Sequence, residues 1–174
     1  LDNFESDLIV GIYYLKNKKF DLAQKYFLKL KNRNSRFTLN NFVANSLLNW
    51  SNLNKLDLGT AEKKIDLIDP RFKNLKKIQN VFLHCFYKSE KTDSFFKELI
   101  SNTKIDFSRY NYFYASYLVE QGDIKKAKQV ISSSLELHPR NLLLNQYKFE
   151  LYSDSYKNNF SCQNQSHVVG EILY

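Results

Sequence analysis

Glycine and proline are scarce in this chain, which has four glycines and two prolines in 174 residues. An ordinary β-sandwich needs turn residues every few positions, so this scarcity argues against that fold. It is typical of a stack of helices. One domain with a substantial core is expected at this length, because hydrophobic residues make up 43% of the chain and aromatic residues 16%.

Cysteine is equally sparse. Cys85 lies in the apolar run VFLHCFY, which predicts a small core residue, and Cys162 lies in the polar stretch NNFSCQNQS. Two isolated cysteines form neither a zinc-binding spacing nor a CxxC redox motif. The sequence allows a disulfide between them but gives no support for one.

Catalytic patterns are missing as well. The three histidines, His84, His138 and His167, share no helix face with a third ligand. No GxSxG, P-loop or HExxH pattern occurs, and the acidic residues stand singly among lysines. The sequence therefore predicts no enzyme, no metal site and no cofactor.

Long apolar runs are also absent. No 18-residue apolar stretch occurs, so no transmembrane segment is predicted. No signal peptide is visible, and the chain starts at Leu1 and ends within the apolar run EILY. We interpret it as a processed chain or an ordered fragment that is soluble and either cytoplasmic or periplasmic.

Positive charge is in excess, with 26 Lys and Arg against 18 Asp and Glu, a formal net charge of +8. A basic surface could bind nucleic acid or acidic peptides. The lysines are spread along the chain, and its richness in Lys, Asn, Ile and Phe is typical of an AT-rich genome. We therefore favour composition bias over a dedicated nucleic-acid surface.

A helix hairpin can be seen between residues 110 and 139. Two apolar stripes at three- and four-residue steps predict two amphipathic helices. Gly122 can end the first helix in the left-handed conformation, and Asp123 can cap the second. Pro139 then stops the second helix.

The same spacing recurs at the start of the chain. Gly11 and Ala23 are 12 residues apart, as are Ala115 and Ala127, and the two prolines are 69 residues apart. The middle of the chain matches less well, with a longer turn and a shorter second helix in the second repeat. The hairpins are predicted to turn near Lys18, Leu56, Lys91 and Gly122.

A period of about 34 residues with a small residue, an aromatic residue, A-x3-F and then proline resembles the tetratricopeptide repeat. The matching positions are Gly11, Tyr14, Ala23, Phe27, Ala44, Ala115, Gly122, Ala127 and Pro139. The resemblance implies an all-α, right-handed α-solenoid of about four to five hairpins over residues 1–152. Residues 153–174 would form a polar loop and the start of a further helix. Gly170, Glu171, Leu173 and Tyr174 are similar to a segment of alphaproteobacterial tetratricopeptide proteins.

The family resemblance also implies a groove lined by the first helices of successive hairpins. Its predicted partner-binding residues are Asn41 and Asn45, with Leu48, in the second repeat, and Arg109, Tyr112 and Ser116, with Val119, in the fourth. Asn can donate to and accept from a peptide backbone, and Arg can hold a carboxylate. The positions at which a C-terminal peptide clamp carries Lys and Asn fall here on Leu8 and Ile12, so that particular clamp is not expected.

Three functions follow as hypotheses. The first is a non-enzymatic scaffold that binds a protein or a peptide of some acidic character. The second is an RNA-binding solenoid of the pentatricopeptide kind, because tyrosines and phenylalanines interleaved with lysines could stack on bases. The third is a purely structural module of a longer chain.

Overall fold

A computed structural model of the chain describes residues 3–32, 38–101, 108–153 and 160–165. Within these ranges the regular structure is helical and contains no strand, which confirms the predicted all-α class. Nine α-helices occur in them: α1 (Asn3–Lys16), α2 (Phe20–Asn32), α3 (Thr38–Ser51), α4 (Leu58–Asp66), α5 (Lys73–Phe86), α6 (Thr92–Ile100), α7 (Ser108–Glu120), α8 (Ile124–Leu137) and α9 (Leu142–Tyr152). Short 3-10 turns at Leu53–Lys55 and Pro70–Phe72 precede and follow α4.

The chain divides into two compact units, and the division falls within α5, between Leu83 and His84. Of the described residues, unit 1 contains 3–32, 38–83 and Gln165. Unit 2 contains 84–101, 108–153 and 160–164. The predicted tail helix, with Gly170 to Tyr174, lies outside the described residues.

The first hairpin closes where a small residue meets an aromatic ring. Gly11 on α1 is buried, and a Cβ built on it would lie 2.8 Å from Phe27 Cδ1 on α2. Ala23 and Phe27 are themselves fully buried. A larger residue at position 11 would push the helices apart, as the repeat spacing predicts. Tyr14 stacks on Tyr26 with ring centroids 5.6 Å apart.

The hairpin turns lie at the four predicted places. Three of them contain a residue in the left-handed region: Lys18 with φ 57°, Lys88 with φ 53° and Gly122 with φ 82°. The next helix then starts on an acidic cap in two hairpins, because Asp57 accepts from the Thr60 N–H and Asp123 from the Lys126 N–H.

The proline after α8 also acts as predicted. The helix ends at Leu137, and His138 forms its C-terminal cap immediately before Pro139. Asn141 then caps α9 by accepting from the Leu144 N–H. Helix α4, which was predicted to be short, has nine residues.

A buried hydrogen-bond chain connects helices of unit 1. Trp50 Nε1 on α3 donates to Gln79 Oε1 on α5 at 3.1 Å, and Gln79 Nε2 donates to Ser46 Oγ at 3.0 Å. Gln165 Nε2 donates to the Trp50 carbonyl. Ser46 and Gln79 are 33 residues apart, so this hydrogen bond connects α3 with α5. Ala44, on the same helix as Ser46, is fully buried.

Unit 2 has its own small residues in the core, because Ala115 on α7 and Ala127 on α8 are fully buried. Asp93 on α6 connects the same two helices. It accepts from Tyr114 Oη at 2.6 Å and from Lys126 Nζ at 2.9 Å. Burial works to raise the pKa of Asp93, but hydrogen bonds from Lys97, Tyr114 and Lys126 outweigh it and hold that pKa well below its ordinary value.

The two cysteines form a disulfide in unit 2, with their Cα atoms 5.5 Å apart. Cys85 lies near the end of α5, and Cys162 lies in the segment after α9. Sequence spacing alone did not support this pair, because 77 residues separate the two positions and only the fold brings them together.

Candidate functional site

Four asparagines mark one face of α3 and the turn that follows it. Asn41, Asn45, Asn49 and Asn52 are spaced by four, four and three residues, which places them on one side of a helix. On another side of α3, Ala44, Leu47 and Ser51 are buried. The helix is therefore amphipathic in an unusual way, with amides rather than charges on its polar side.

These asparagines line a cavity of about 600 Å³ in unit 1, which we call the asparagine groove. Besides the four asparagines it is lined by Phe42 and Leu48 of α3, by Leu28 and Lys31 of α2, by Lys64 of α4, and by Leu67, Ile68 and Asp69 after α4. The side chains of Leu28 and Leu67 are exposed. The groove thus combines amide groups with apolar contact surface.

Asn49 is the most distinctive residue of the groove. It is 4% exposed, and its Nδ2 donates to the Ala61 carbonyl at 3.3 Å. Its Oδ1 is buried and meets no donor among the described residues. Buried acceptors normally have a partner, so this oxygen has unused capacity for a donor from water or from a ligand.

Asn45 and Asn52 differ in how far their amides are engaged. Asn52 Nδ2 donates to the Leu48 carbonyl at 2.8 Å, which fixes that side chain against its own helix. Asn45 is exposed, and its side chain has no hydrogen-bond partner in the described part of the chain. Asn45 therefore offers both a donor and an acceptor to the groove.

The charges around the groove favour an anion. Lys31 and Lys64 are exposed, and neither forms an ion pair with a described residue. The carboxylate in the lining, Asp69, is already bound by Arg71, with Arg71 Nη2 2.6 Å from Asp69 Oδ2. The side-chain and backbone hydrogen bonds from Arg71 lower the pKa of Asp69 to about 2. The two lysines therefore carry the uncompensated charge of this surface.

The structure brings together the predicted groove residues of the second repeat, Asn41, Asn45 and Leu48. The walls differ from the expectation. The first helices of successive hairpins were predicted to line the groove, whereas α2 and α4, which are second helices, form the walls on either side of α3.

The predicted residues of the fourth repeat are packed instead. Ser116 is 0% exposed and donates from Oγ to Tyr147 Oη at 3.1 Å, so its predicted place on an open surface is corrected to a place in the core. Tyr112 is half-buried, with its ring 4.7 Å from that of Tyr147. Arg109 is half-buried as well, with its guanidinium 5.8 Å from the centre of the Phe113 ring. The cavity beside Tyr112 measures only about 60 Å³.

Among the groove residues that sequence reasoning missed are Lys31, Asn49, Asn52 and Lys64. A signal for the two asparagines was present, because the stretch NNFVANSLLNWSN continues the helical spacing of Asn41 and Asn45. No comparable signal existed for the lysines, which reach the groove from α2 and α4.

Comparison of the chain with protein-family models, with curated proteins and with solved structures found no match. The tetratricopeptide resemblance therefore rests on the repeat positions of the chain itself. Among the described residues, no group of three or more His, Cys, Asp and Glu side chains could hold a metal ion. None of the described helices is long and apolar enough to cross a membrane.

Proposed function

We propose that the chain is a non-enzymatic binding module for proteins or peptides, built from tetratricopeptide-like hairpins as a right-handed α-solenoid, with the asparagine groove as its ligand site. The observation that carries this function is Asn49, whose buried Oδ1 meets no donor among the described residues and which lines a groove of about 600 Å³. Leaving such a group unpaired costs about 1–3 kcal/mol, which a ligand N–H would recover.

The repeat positions support the proposed architecture. Ala23, Ala44, Ala115 and Ala127 are fully buried, and Gly11 leaves no room for a side chain beside Phe27. Close helix crossings at fixed spacing are what small residues provide in helical repeats. The contacts of Ser46 with Gln79 and of Ser116 with Tyr147 connect residues 33 and 31 positions apart, about one repeat each.

A peptide main chain carries hydrogen-bond donors and acceptors that complement the amides of the groove. It presents one N–H and one C=O per residue, and the exposed amide of Asn45 can pair with one such unit. The buried Asn49 Oδ1 comes within reach of a ligand N–H when its side chain turns toward the groove. The exposed Leu28 and Leu67 can contact apolar side chains of the ligand.

The charges specify the ligand further. Lys31 and Lys64 lack ion-pair partners among the described residues, and Asp69 is held by Arg71. An acidic side chain or a terminal carboxylate would therefore be attracted to this surface. Each exposed charge pair contributes about 0.2–1 kcal/mol, so acidity adjusts affinity rather than creating it.

Selection of random displayed peptides on the full chain tests the proposal. Recovered peptides are then measured against three variants by fluorescence anisotropy. Asn49→Leu removes the unpaired acceptor at similar shape and is expected to weaken binding. Because it also removes the Nδ2 donor to the Ala61 carbonyl, Tm is measured alongside affinity. The double substitution Lys31→Gln, Lys64→Gln is expected to weaken binding by roughly two- to twentyfold and to flatten its salt dependence.

Lys63→Gln is the matched control, since Lys63 is exposed on α4 beside Lys64 but does not line the groove. It should leave affinity unchanged. Peptides that bind all variants equally would move the site away from the groove. Binding of single-stranded RNA with steep salt dependence, in place of peptides, would favour the RNA-binding alternative, and binding of neither would favour the purely structural module.

A further inference from the structure

The disulfide of unit 2 has a consequence that is independent of the groove. We propose that the Cys85–Cys162 bond is a permanent staple that holds residues 160–164 against the aromatic face of α7, and that the chain acquires it from a disulfide donor while it folds. Its sulfurs belong to residues that are 1% and 0% exposed, and the bond joins positions 77 residues apart.

The stapled segment covers aromatic rings of α7. Phe160 is 5% exposed, and its ring lies 4.7 Å from that of Phe113 and 6.5 Å from that of Tyr112. Gln163 Nε2 donates to the Cys85 carbonyl at 3.1 Å, next to the disulfide itself. Residues 160–164 therefore cover part of the α7 face that was predicted to bind a partner.

The segment has little regular structure of its own. Within residues 160–164, a hydrogen bond from the Asn164 N–H to the Ser161 carbonyl closes one turn. A short irregular segment loses much conformational entropy when it is fixed in one place. A covalent link that closes a long loop lowers that cost, because the unfolded chain is already constrained.

Burial distinguishes a staple from a redox switch. Thiol–disulfide exchange requires a thiolate to reach a sulfur atom along the S–S axis, and labile or regulatory disulfides are exposed. Both cysteines here are out of reach in the folded chain. The same burial means that the bond forms before unit 2 has closed around it.

The oxidation balances through exchange with a donor disulfide. One cysteine thiolate attacks the donor and forms a mixed disulfide, which releases one donor thiol. The second cysteine thiolate then displaces the other donor thiol and completes the Cys85–Cys162 bond. Two electrons pass to the donor, whose two sulfurs leave as thiols. Compartments that supply such donors are oxidising, so the proposal places the folding of this chain in one of them.

The first test counts thiols in the full chain isolated from its source. The folded and the denatured protein are each treated with an alkylating reagent, with and without prior reduction, and weighed by mass spectrometry. No alkylation is expected unless the chain is both reduced and denatured. Two alkylated cysteines without any reduction would overturn the proposal.

The second test separates a staple from an incidental bond. The oxidised chain is compared with the double variant Cys85→Ala, Cys162→Ala by thermal unfolding and by hydrogen exchange of residues 160–164. Loss of the bond is expected to lower Tm by roughly 5–15 °C and to remove the exchange protection of the segment.

Ser161→Ala serves as the control, because Ser161 lies in the same segment and its Oγ pairs with Gln163 of that segment. It should keep both Tm and protection close to those of the parent chain.

Equal Tm and equal protection in the oxidised chain and the double variant would show that the bond does not hold the segment in place. Complete reduction of the folded chain by a mild thiol, without unfolding, would show a switch instead of a staple. Peptide binding can fail while the staple stands, so this outcome does not depend on the groove.

Discussion

The sequence predicts equivalent places for α3 and α7 in a repeat, yet the structure leaves one of their predicted binding faces open and covers the other. Asn41 and Asn45 of α3 line an open groove. Tyr112 and Ser116 of α7 pack against Tyr147, and Phe160 lies over the same face. Positions that the predicted register treats as equivalent therefore differ in exposure, and residue chemistry decides whether such a face remains open.

The physical reason lies in the cost of covering each face. Burying an aromatic ring gains about 25 cal/mol per Å² of apolar surface, so the rings of α7 attract neighbours from α9 and from residues 160–164. Burying an amide costs free energy unless both its donor and its acceptor find partners. The asparagines of α3 thus line a cavity, and Oδ1 of one of them, Asn49, has no donor among the described residues.

The largest expected effect on stability concerns the helix crossing at Ala127 in unit 2. Ala127 is fully buried on α8, so Ala127→Phe overpacks the crossing and should lower the free energy of unfolding by roughly 1–3 kcal/mol or more. Chemical denaturation measures it. Ser133→Phe is the control, because Ser133 is exposed on the same helix and should tolerate the ring. Equal stability of the two variants would mean that Ala127 does not lie at a crossing.

A second expected effect tests whether the α7 face is closed. Ser116→Ala removes the hydroxyl that donates to Tyr147 Oη at 3.1 Å in a buried site. The loss should cost about 1–3 kcal/mol in the free energy of unfolding, since the tyrosine hydroxyl loses this partner in a buried place. If the unfolding curve instead superimposes on that of the parent chain, Ser116 is solvated and the α7 face is open after all.

Much of the fold could be predicted from local sequence signals. Gly122 and Asp123 mark a turn, Pro139 ends a helix, and the Gly11–Ala23 spacing locates a crossing, because these depend on backbone chemistry within a few residues. Closure of the α7 face could not be predicted, since it depends on Phe160, whose approach to Phe113 requires the tertiary fold. The same holds for Lys31 and Lys64, which reach the asparagine groove from helices on either side of α3.

The next expected effect on stability is smaller and concerns two carboxyl groups with lowered pKa, one in each unit. Asp93 has one local partner, Lys97, four residues away on α6. Its other two partners, Tyr114 and Lys126, are 21 and 33 residues away and are lost on unfolding. Its folded pKa lies below the unfolded value of about 4, so its stabilisation is present above that pH and is lost as the pH falls through the folded pKa. Asp93→Asn should therefore lower stability at neutral pH and reduce its further loss in acid.

Asp69 provides the contrast for that experiment. Its partner Arg71 is two residues away and exposed, so the pair can persist in the unfolded chain and contributes little to the difference between the two states. Asp69→Asn should leave the pH dependence of the unfolding free energy close to that of the parent chain. A change as large as that of Asp93→Asn would show that local pairs matter here as much as tertiary ones.

The smallest expected effect on stability is also the most specific for function. Asn45 is exposed and has no hydrogen-bond partner in the described part of the chain, so Asn45→Ala should change the free energy of unfolding by no more than about 0.5 kcal/mol. Binding of a peptide selected on the groove should nevertheless fall by roughly two- to tenfold, because one amide donor and acceptor are lost from the site. Isothermal titration calorimetry and thermal unfolding on the same preparation separate the two quantities. A fall in Tm without a change in affinity would make Asn45 a packing residue like Ser116, and the contrast between α3 and α7 would then disappear.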